Sequence, residues 1–368
     1  MLRKRRPTPS KKEPVIYSVG RITTPVHPGI WKVNVQQEIS AWTRQWTSIR
    51  RACDRRLDGC IELPHVPNHS VGIEIEAERC SGLGDRTWPS NVWSIKQDGS
   101  LRNHGVEFIS PAIQTEECRE MLGFLFGYLD HLGVEPDFSW RTSIHVHLDV
   151  TSLSVEEFRN FLLTYFVFED CLFEFANPGR RETNIFCTPI NRANFYALSE
   201  FISSENQLPL LRESLASLAR EVKKYSALNL LHLWDFGTVE FRHLRGTDDL
   251  PFLCRWIDLL LKLLTFSKET NKDTLYQFIE RLNTNSAYSE FAEAVFGDAA
   301  EKCLKFPLST QMLERGVSLA KEIIHGNRLV KELSVSPSSG LMGFYRLQEK
   351  KKQTDRLQKR ASNKGATW

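Results

Sequence analysis

No two of the eight cysteines (Cys53, Cys60, Cys80, Cys118, Cys171, Cys187, Cys254 and Cys303) form a Cys-x-x-Cys pair. That argues against a zinc ribbon and fits reduced thiols scattered through a core. Nor does any apolar run approach the roughly 20 residues that a membrane-spanning helix needs. The opening Met1-Leu2-Arg3-Lys4-Arg5-Arg6 is basic, but no apolar segment follows it, so no secretory signal is expected and the chain reads as cytoplasmic. Net charge is also scarce, at +3 over 368 residues, so any nucleic-acid footprint has to be local. Local charge stands at both ends: Arg3, Lys4, Arg5, Arg6, Lys11 and Lys12 at one, and Lys350, Lys351, Lys352, Arg356, Lys359, Arg360 and Lys364 at the other. Such tails are either solvated or dock phosphate backbones and acidic partner surfaces.

What the chain does have is a globular composition, 41% hydrophobic and 25% charged, enough for a sizeable core in one large domain or two. Its organising stretch is Gly72-Ile73-Glu74-Ile75-Glu76-Ala77-Glu78. Alternation at period two predicts a strand with Ile73, Ile75 and Ala77 on one face and three carboxylates on the other. A row of like charges is easiest to keep when a cation sits over it; a solvated acidic edge strand is the plain alternative. Ahead of it, Ile39, Trp42, Trp46 and Ile49 at spacings of three and four predict one amphipathic helix over 35–57. Residues 93–97 and 106–109 read as paired strands joined by a turn or short loop, with Asp98-Gly99 supplying the positive φ. A helix over 115–132 stops at Gly133. The cleanest alternation is Ser143-Ile144-His145-Val146-His147-Leu148-Asp149-Val150, with His145, His147 and Asp149 on one face; Asp149 is a candidate partner for His147. Ser154-Val155-Glu156-Glu157 is a capping box opening a helix to about 176. A loop with Arg180, Arg181 and Cys187 follows, then a helix near 208–221. Residues 228–233 and 238–244 read as paired strands around Asp235-Phe236-Gly237, with Thr238, Glu240 and Arg242 on one face. Asp248-Asp249-Leu250-Pro251 starts a long helix, and the pattern stays helical from 268 to 333.

Four strands therefore each pair an apolar face with a face of ligand types: Glu74 and Glu76; Glu107; His145 and His147; Glu240 and Arg242. Together they predict one antiparallel or mixed sheet, helices behind it and a concave polar floor in front. Carboxylates with one or two imidazoles suit Mg²⁺ or Mn²⁺, and an arginine on the same face suits phosphate. A plain Glu240–Arg242 ion pair is the alternative for those two. Cys187 has no clear base partner and reads as a packing residue.

The order of motifs resembles the amidoligase family, which is related to glutamine synthetase and glutamate-cysteine ligase. It runs Gly-x-Glu-x-Glu, Asp-Gly-Ser with Gly-x-Glu-Phe-x-Ser-Pro, His-Val-His-x-Asp, Pro-x-Arg-Arg-x-x-Asn-x-aromatic-Cys, Lys-Tyr-x-x-Leu-Asn, and Thr-Val-Glu-Phe-Arg-x-x-x-Gly-Thr. It covers roughly residues 70 to 262 and leaves both ends unexplained. The resemblance implies an α+β, glutamine-synthetase-like fold and ATP-dependent joining of a carboxylate to an amine through an acyl phosphate, with Mg²⁺ or Mn²⁺. It makes Glu74, Glu76, Glu107, His145 and Glu240 the metal ligands and puts Arg242 on the phosphates. Arg180, Arg181, Lys223, Tyr225 and Asn229 become nucleotide or substrate contacts. The expected organisation is a basic arm over 1–30, a helical segment over 31–64, a catalytic domain over 65–265, a helical extension over 266–333 and a linker with a basic tail over 334–368. A metal-dependent hydrolase or nuclease and a non-catalytic binding protein stay open beside the ligase, as does oligomer formation.

Overall fold

The structure is a computed structural model; it describes residues 34–81, 83, 88–177, 187–190, 225–304 and 310–334. The chain divides into two compact units, one of Met1–Phe158 with Ala227–Leu261, the other of Arg159–Ser226 with Lys262–Trp368. The fold is α+β.

The first unit holds a seven-stranded sheet built from β1 (Ser70–Ala77), β2 (Ser94–Gln97), β3 (Val106–Ile109), β4 (Ile113–Gln114), β5 (Ser143–Asp149), β6 (Leu228–Asn229) and β7 (Thr238–Arg245). The strand order is β2-β3-β1-β5-β7-β6, with β4 also on β1, and every pairing among these strands is antiparallel. The alternation read in β1 holds, since Ile73, Ile75 and Ala77 are fully buried. Their burial, with that of Phe108, Val146, Leu148 and Phe241, makes one face of the sheet a core and pins the register, because a one-residue slip would bring the carboxylates into it.

Helices α1 (Val35–Gln45), α2 (Thr47–Arg56) and α3 (Cys118–Leu132) belong to the same unit. The single helix expected over 35–57 is interrupted at Trp46, whose backbone is extended (φ −130°, ψ 99°). The break gives α2 its own direction along α3, where Gly123 and Gly127 admit it: a Cβ on Gly127 would lie 2.6 Å from the Cys53 backbone nitrogen. Trp88 stacks on Phe108 and meets Tyr128 of α3 edge-on, with centroids 5.6 and 5.5 Å apart. Gly133 ends α3 in the left-handed region at φ 65°, as expected.

Two connections differ from expectation. Gly99 does not supply the turn between β2 and β3. Asp98 Oδ1 caps the Ser100 amide at 2.7 Å, and the positive φ angles fall on Asn103 (52°) and His104 (59°). This is a longer loop that needs its left-handed residues at the far end. Residues 228–233 do not continue as a strand, because Asn229 Oδ1 accepts the Leu231 amide at 3.0 Å and bends the chain into a short helix, α5 (His232–Asp235). The capping box at Ser154 and Glu157 forms in both directions and opens α4 (Val155–Ala176). Asp249 Oδ1 accepts the Phe252 amide at 3.0 Å and caps α6 (Leu250–Glu269).

The boundary between the units falls within α4 and α6. In the second unit, α7 (Lys272–Arg281), α8 (Asn285–Phe296), α9 (Asp298–Cys303) and α10 (Thr310–Ser334) agree with the helical reading of 268–333. Phe168, Phe278, Phe291 and Phe296 build its aromatic core, with centroids 4.9 to 5.3 Å apart. Fully buried Glu169 accepts from the Tyr165 hydroxyl and the Ile190 amide, both at 2.7 Å. No helix among the described residues is long and apolar enough to cross a membrane. The helix expected near 208–221 and both basic ends lie outside the described residues.

The close α2–α3 contact gives a direct stability test. Gly127→Ala pushes a methyl into the Cys53 backbone, which has no rotamer to yield, and should cost about 1–3 kcal/mol in urea unfolding. Gly133→Ala, with nothing within 4 Å of its new Cβ, should cost about 1 kcal/mol through its positive φ alone.

Candidate active site

The polar face is assembled by strand register. Glu74 on β1 lies opposite His145 on β5, Gly72 opposite His147, and Glu76 opposite Glu107 on β3. His147 lies opposite Glu240 on β7, and Lys96 on β2 opposite Glu107. Between Ile144 and Val146 the β5–β7 pairing gains one residue on the β7 side, a bulge at Arg242 and His243. Arg242 faces Glu240 in front, while buried His243 lies among the rings of Phe241 and Trp256 behind.

Two groups of three converge within 4.8 Å each: Glu74 with His147 and Glu240, and Glu74 with Glu107 and His145. Glu74 is common to both. His145 Nδ1 lies 3.2 Å from Glu74 Oε2 and 3.3 Å from Glu240 Oε1. His147 Nδ1 meets Thr238 Oγ1 at 3.2 Å, while its Nε2 is buried without a hydrogen bond and lies 3.5 Å from Glu74 Oε1. A buried imidazole nitrogen with no hydrogen bond, aimed at a carboxylate, fits a divalent cation, as does the donor set of hard oxygens and imidazole nitrogens.

Glu76 stands outside both groups. Its Oε2 accepts from the Ser143 amide at 2.8 Å and hydroxyl at 2.6 Å. Glu240 is heavily partnered: Arg242 Nη1 pairs with Oε1, Asn229 Nδ2 donates to Oε2 at 2.6 Å, and His232 Nε2 lies 3.2 Å from the same oxygen. The simple Glu240–Arg242 ion pair is thus present, and Asn229 touches a carboxylate of the site. Asp149 does not partner His147; its Oδ1 takes the Thr151 amide and hydroxyl at 2.8 and 2.6 Å, closing the turn after β5. Tyr225 is exposed and belongs to the second unit, Cys187 is buried, and Arg180, Arg181 and Lys223 lie outside the described residues.

Sequence patterning misses His232 and Ser143. His232 sits on a helical turn read as strand, so its ring, 5.1 Å from that of His147, had no periodicity to mark it. Ser143 begins the best strand signal in the chain, where a serine draws no notice.

Burial works against ionisation of Glu74, yet the imidazoles beside it, His145 first and then His147, outweigh it and hold the carboxyl far below the usual range. Burial likewise opposes ionisation of Glu240, and His232, then the charges of His145 and Arg242, overcome it. Glu107 goes the other way: burial first, then the charge of Glu74, pushes its carboxyl up to about 7.

A family model described as putative amidoligase enzyme matches residues 76–264, just over half of the chain. The chain belongs to the amidoligase family. No curated protein matches it. The matched stretch of this amidoligase-family chain contains Glu107, His145, His147, Glu240 and Arg242, and begins two residues after Glu74.

Glu107 gives this face a measurable pH signature in the metal-free protein. Its carboxyl titrates near 7 in the folded chain against an ordinary 4.5, so across that window the folded state keeps a proton the unfolded chain has released. Stability should therefore fall as pH rises from 4.5 through 7. Glu107→Gln should flatten that fall; parallel unfolding curves for wild type and variant across the window would show that Glu107 ionises normally.

Proposed function

We propose that the chain is an ATP-dependent carboxylate–amine ligase that forms an amide or isopeptide bond through an acyl phosphate. One observation carries the reading. A chain of the amidoligase family gathers Glu74, Glu107, His145, His147 and Glu240 on one face of an antiparallel sheet, with the Arg242 guanidinium against Glu240. Family and antiparallel architecture together support a glutamine-synthetase-like sheet as the finer description of the fold.

The chemistry asked of such a face is electrostatic. A carboxylate is a poor electrophile, and transferring the γ-phosphoryl group of ATP to its oxygen makes that oxygen a leaving group for the amine. No covalent enzyme nucleophile is needed. Glu74, Glu107, His145, His147 and Glu240 would hold Mg²⁺ or Mn²⁺, which when bound would neutralise phosphate charge. Arg242 is a fixed cation on the face, suited to a phosphoryl oxygen. Arg180, Arg181, Lys223 and Tyr225 complete the proposal as nucleotide or substrate contacts. Cys53, Cys60, Cys80, Cys118, Cys171, Cys187 and Cys254 are free thiols, which supports a reducing, cytoplasmic setting. The basic ends are proposed as docking segments for an acidic or nucleic-acid partner.

Two imidazoles in one metal-suited group favour a second reading, a metal-dependent hydrolase or nuclease that activates water. Metal affinity separates the two. A ligase whose cations bridge ATP phosphates should bind Mn²⁺ much more tightly with a non-hydrolysable ATP analogue present, and the enhancement should be reciprocal. A hydrolase site should bind it equally with and without nucleotide. Equal affinities in calorimetric titration would overturn the ligase reading. Arg242→Ala should lower ADP release with a carboxylate and an amine by about 2–4 kcal/mol in transition-state terms; unchanged turnover would remove Arg242 from the phosphates.

A further inference from the structure

Ser143 joins Glu76 to His145 by a chain whose donor directions can be worked out. Both its amide and its hydroxyl lie within hydrogen-bond distance of Glu76 Oε2, at 2.8 and 2.6 Å. An ionised carboxylate only accepts, and a serine hydroxyl has a single proton. The shorter contact commits that proton to Glu76. Ser143 Oγ also stands 2.9 Å from His145 Nε2. Having given its proton away, the oxygen can only accept there, so Nε2 must carry the hydrogen. That leaves Nδ1 as the ring nitrogen turned toward the carboxylates, 3.2 Å from Glu74 Oε2 and 3.3 Å from Glu240 Oε1.

Arg242 Nη1 stands 3.5 Å from the same nitrogen. Two carboxylate oxygens and one imidazole nitrogen thus share a point where a divalent cation, held through Nδ1, would take the place of the ring proton and the guanidinium.

We propose that Ser143 is a positioning residue that fixes His145 as a metal ligand through Nδ1, and that Glu76 acts on the metal through Ser143 rather than as a direct ligand. The inference rests on the metal-bearing face of the proposed ligase. It assigns a role to a buried serine and moves Glu76 from the ligand set to the support behind it. Metal-binding histidines in general take their orientation from the partner of the other ring nitrogen; here a hydroxyl relays a carboxylate to that nitrogen.

The full-length chain, labelled with ¹⁵N-histidine and loaded with Zn²⁺ alone, tests this by long-range ¹H–¹⁵N correlation, with His145→Asn identifying the signals. The expected result is a protonated Nε2 and a metal-shifted Nδ1 on His145. Coordination through Nε2, or no Zn²⁺ binding at His145, would overturn the proposal. Ser143→Ala keeps the backbone amide on Glu76 but loses the relay, and should weaken Zn²⁺ binding 10- to 100-fold. Ser143→Thr, which restores a hydroxyl, should stay within a few-fold of wild type. Unchanged affinity and tautomer in Ser143→Ala would overturn the role even if both variants fold normally. The two levels fail separately: Nε2 coordination with intact ADP release sinks the relay and spares the ligase, whereas Nδ1 coordination without nucleotide-dependent turnover supports the relay and sinks the ligase.

Discussion

Concentrated negative charge on one sheet face is the constraint that the rest of the first unit answers. Glu74, Glu76 and Glu107 stand on adjacent strands, and like charges placed opposite each other across a ladder repel. The face relieves that repulsion in three ways. Imidazoles stand opposite Glu74 and Glu240, the Arg242 guanidinium pairs with Glu240, and Glu107 stays largely protonated below about pH 7. Glu76 is drawn aside by two donors from Ser143. The charge is thus partly balanced by protein, and the ligase reading assigns the remainder to a cation.

That arrangement needs a sheet that cannot slip. The opposite face is continuously apolar, with Ile73, Ile75, Val146, Leu148 and Phe241 fully buried, so shifting any strand by one residue would trade carboxylates for isoleucines inside the core. The bulge on β7 serves the same end. By adding one residue opposite β5, it lets His243 and Leu244 both bury while Arg242 stays with Glu240. Close approach of α2 to α3 over Gly123 and Gly127 holds a helical layer of the same unit with little side chain between the backbones.

Much of this was legible in the sequence because period-two alternation reports two faces at once. Ile73 with Glu74, Ile144 with His145 and Val239 with Glu240 each specify what is buried and what is presented, and strands reading that way fit one antiparallel sheet. Turn chemistry was less legible. Asp98-Gly99 looks like a hairpin turn, yet Asn103 and His104 take the positive φ angles; Asn229 reads as a strand residue, yet its side chain caps Leu231 and starts a helical turn. Both outcomes depend on side-chain hydrogen bonds that compete with the ladder, and alternation carries no trace of them. His232 was missed for that reason. Ser143 was missed because its importance lies in two contacts at 2.6 and 2.9 Å, not in its residue type.

The two central carboxylates are unequal, and the inequality orders the chemistry. Glu240 is almost fully buried and already engages Arg242, Asn229 and His232, so a cation arriving there has to compete with a guanidinium for Oε1. Glu74 is more open, with about a quarter of its side chain exposed, and belongs to both three-residue groups. Its contacts are the two imidazoles, each of which can exchange a carboxylate neighbour for a metal. A cation therefore meets least competition at Glu74 and His147, and completing a site at Glu240 requires Arg242 to find another anion. A phosphate is an anion of the right geometry for a guanidinium. Under the ligase reading, this coupling makes metal and nucleotide depend on each other through a single ion pair: Arg242 released by the cation is the Arg242 that a phosphate can take up.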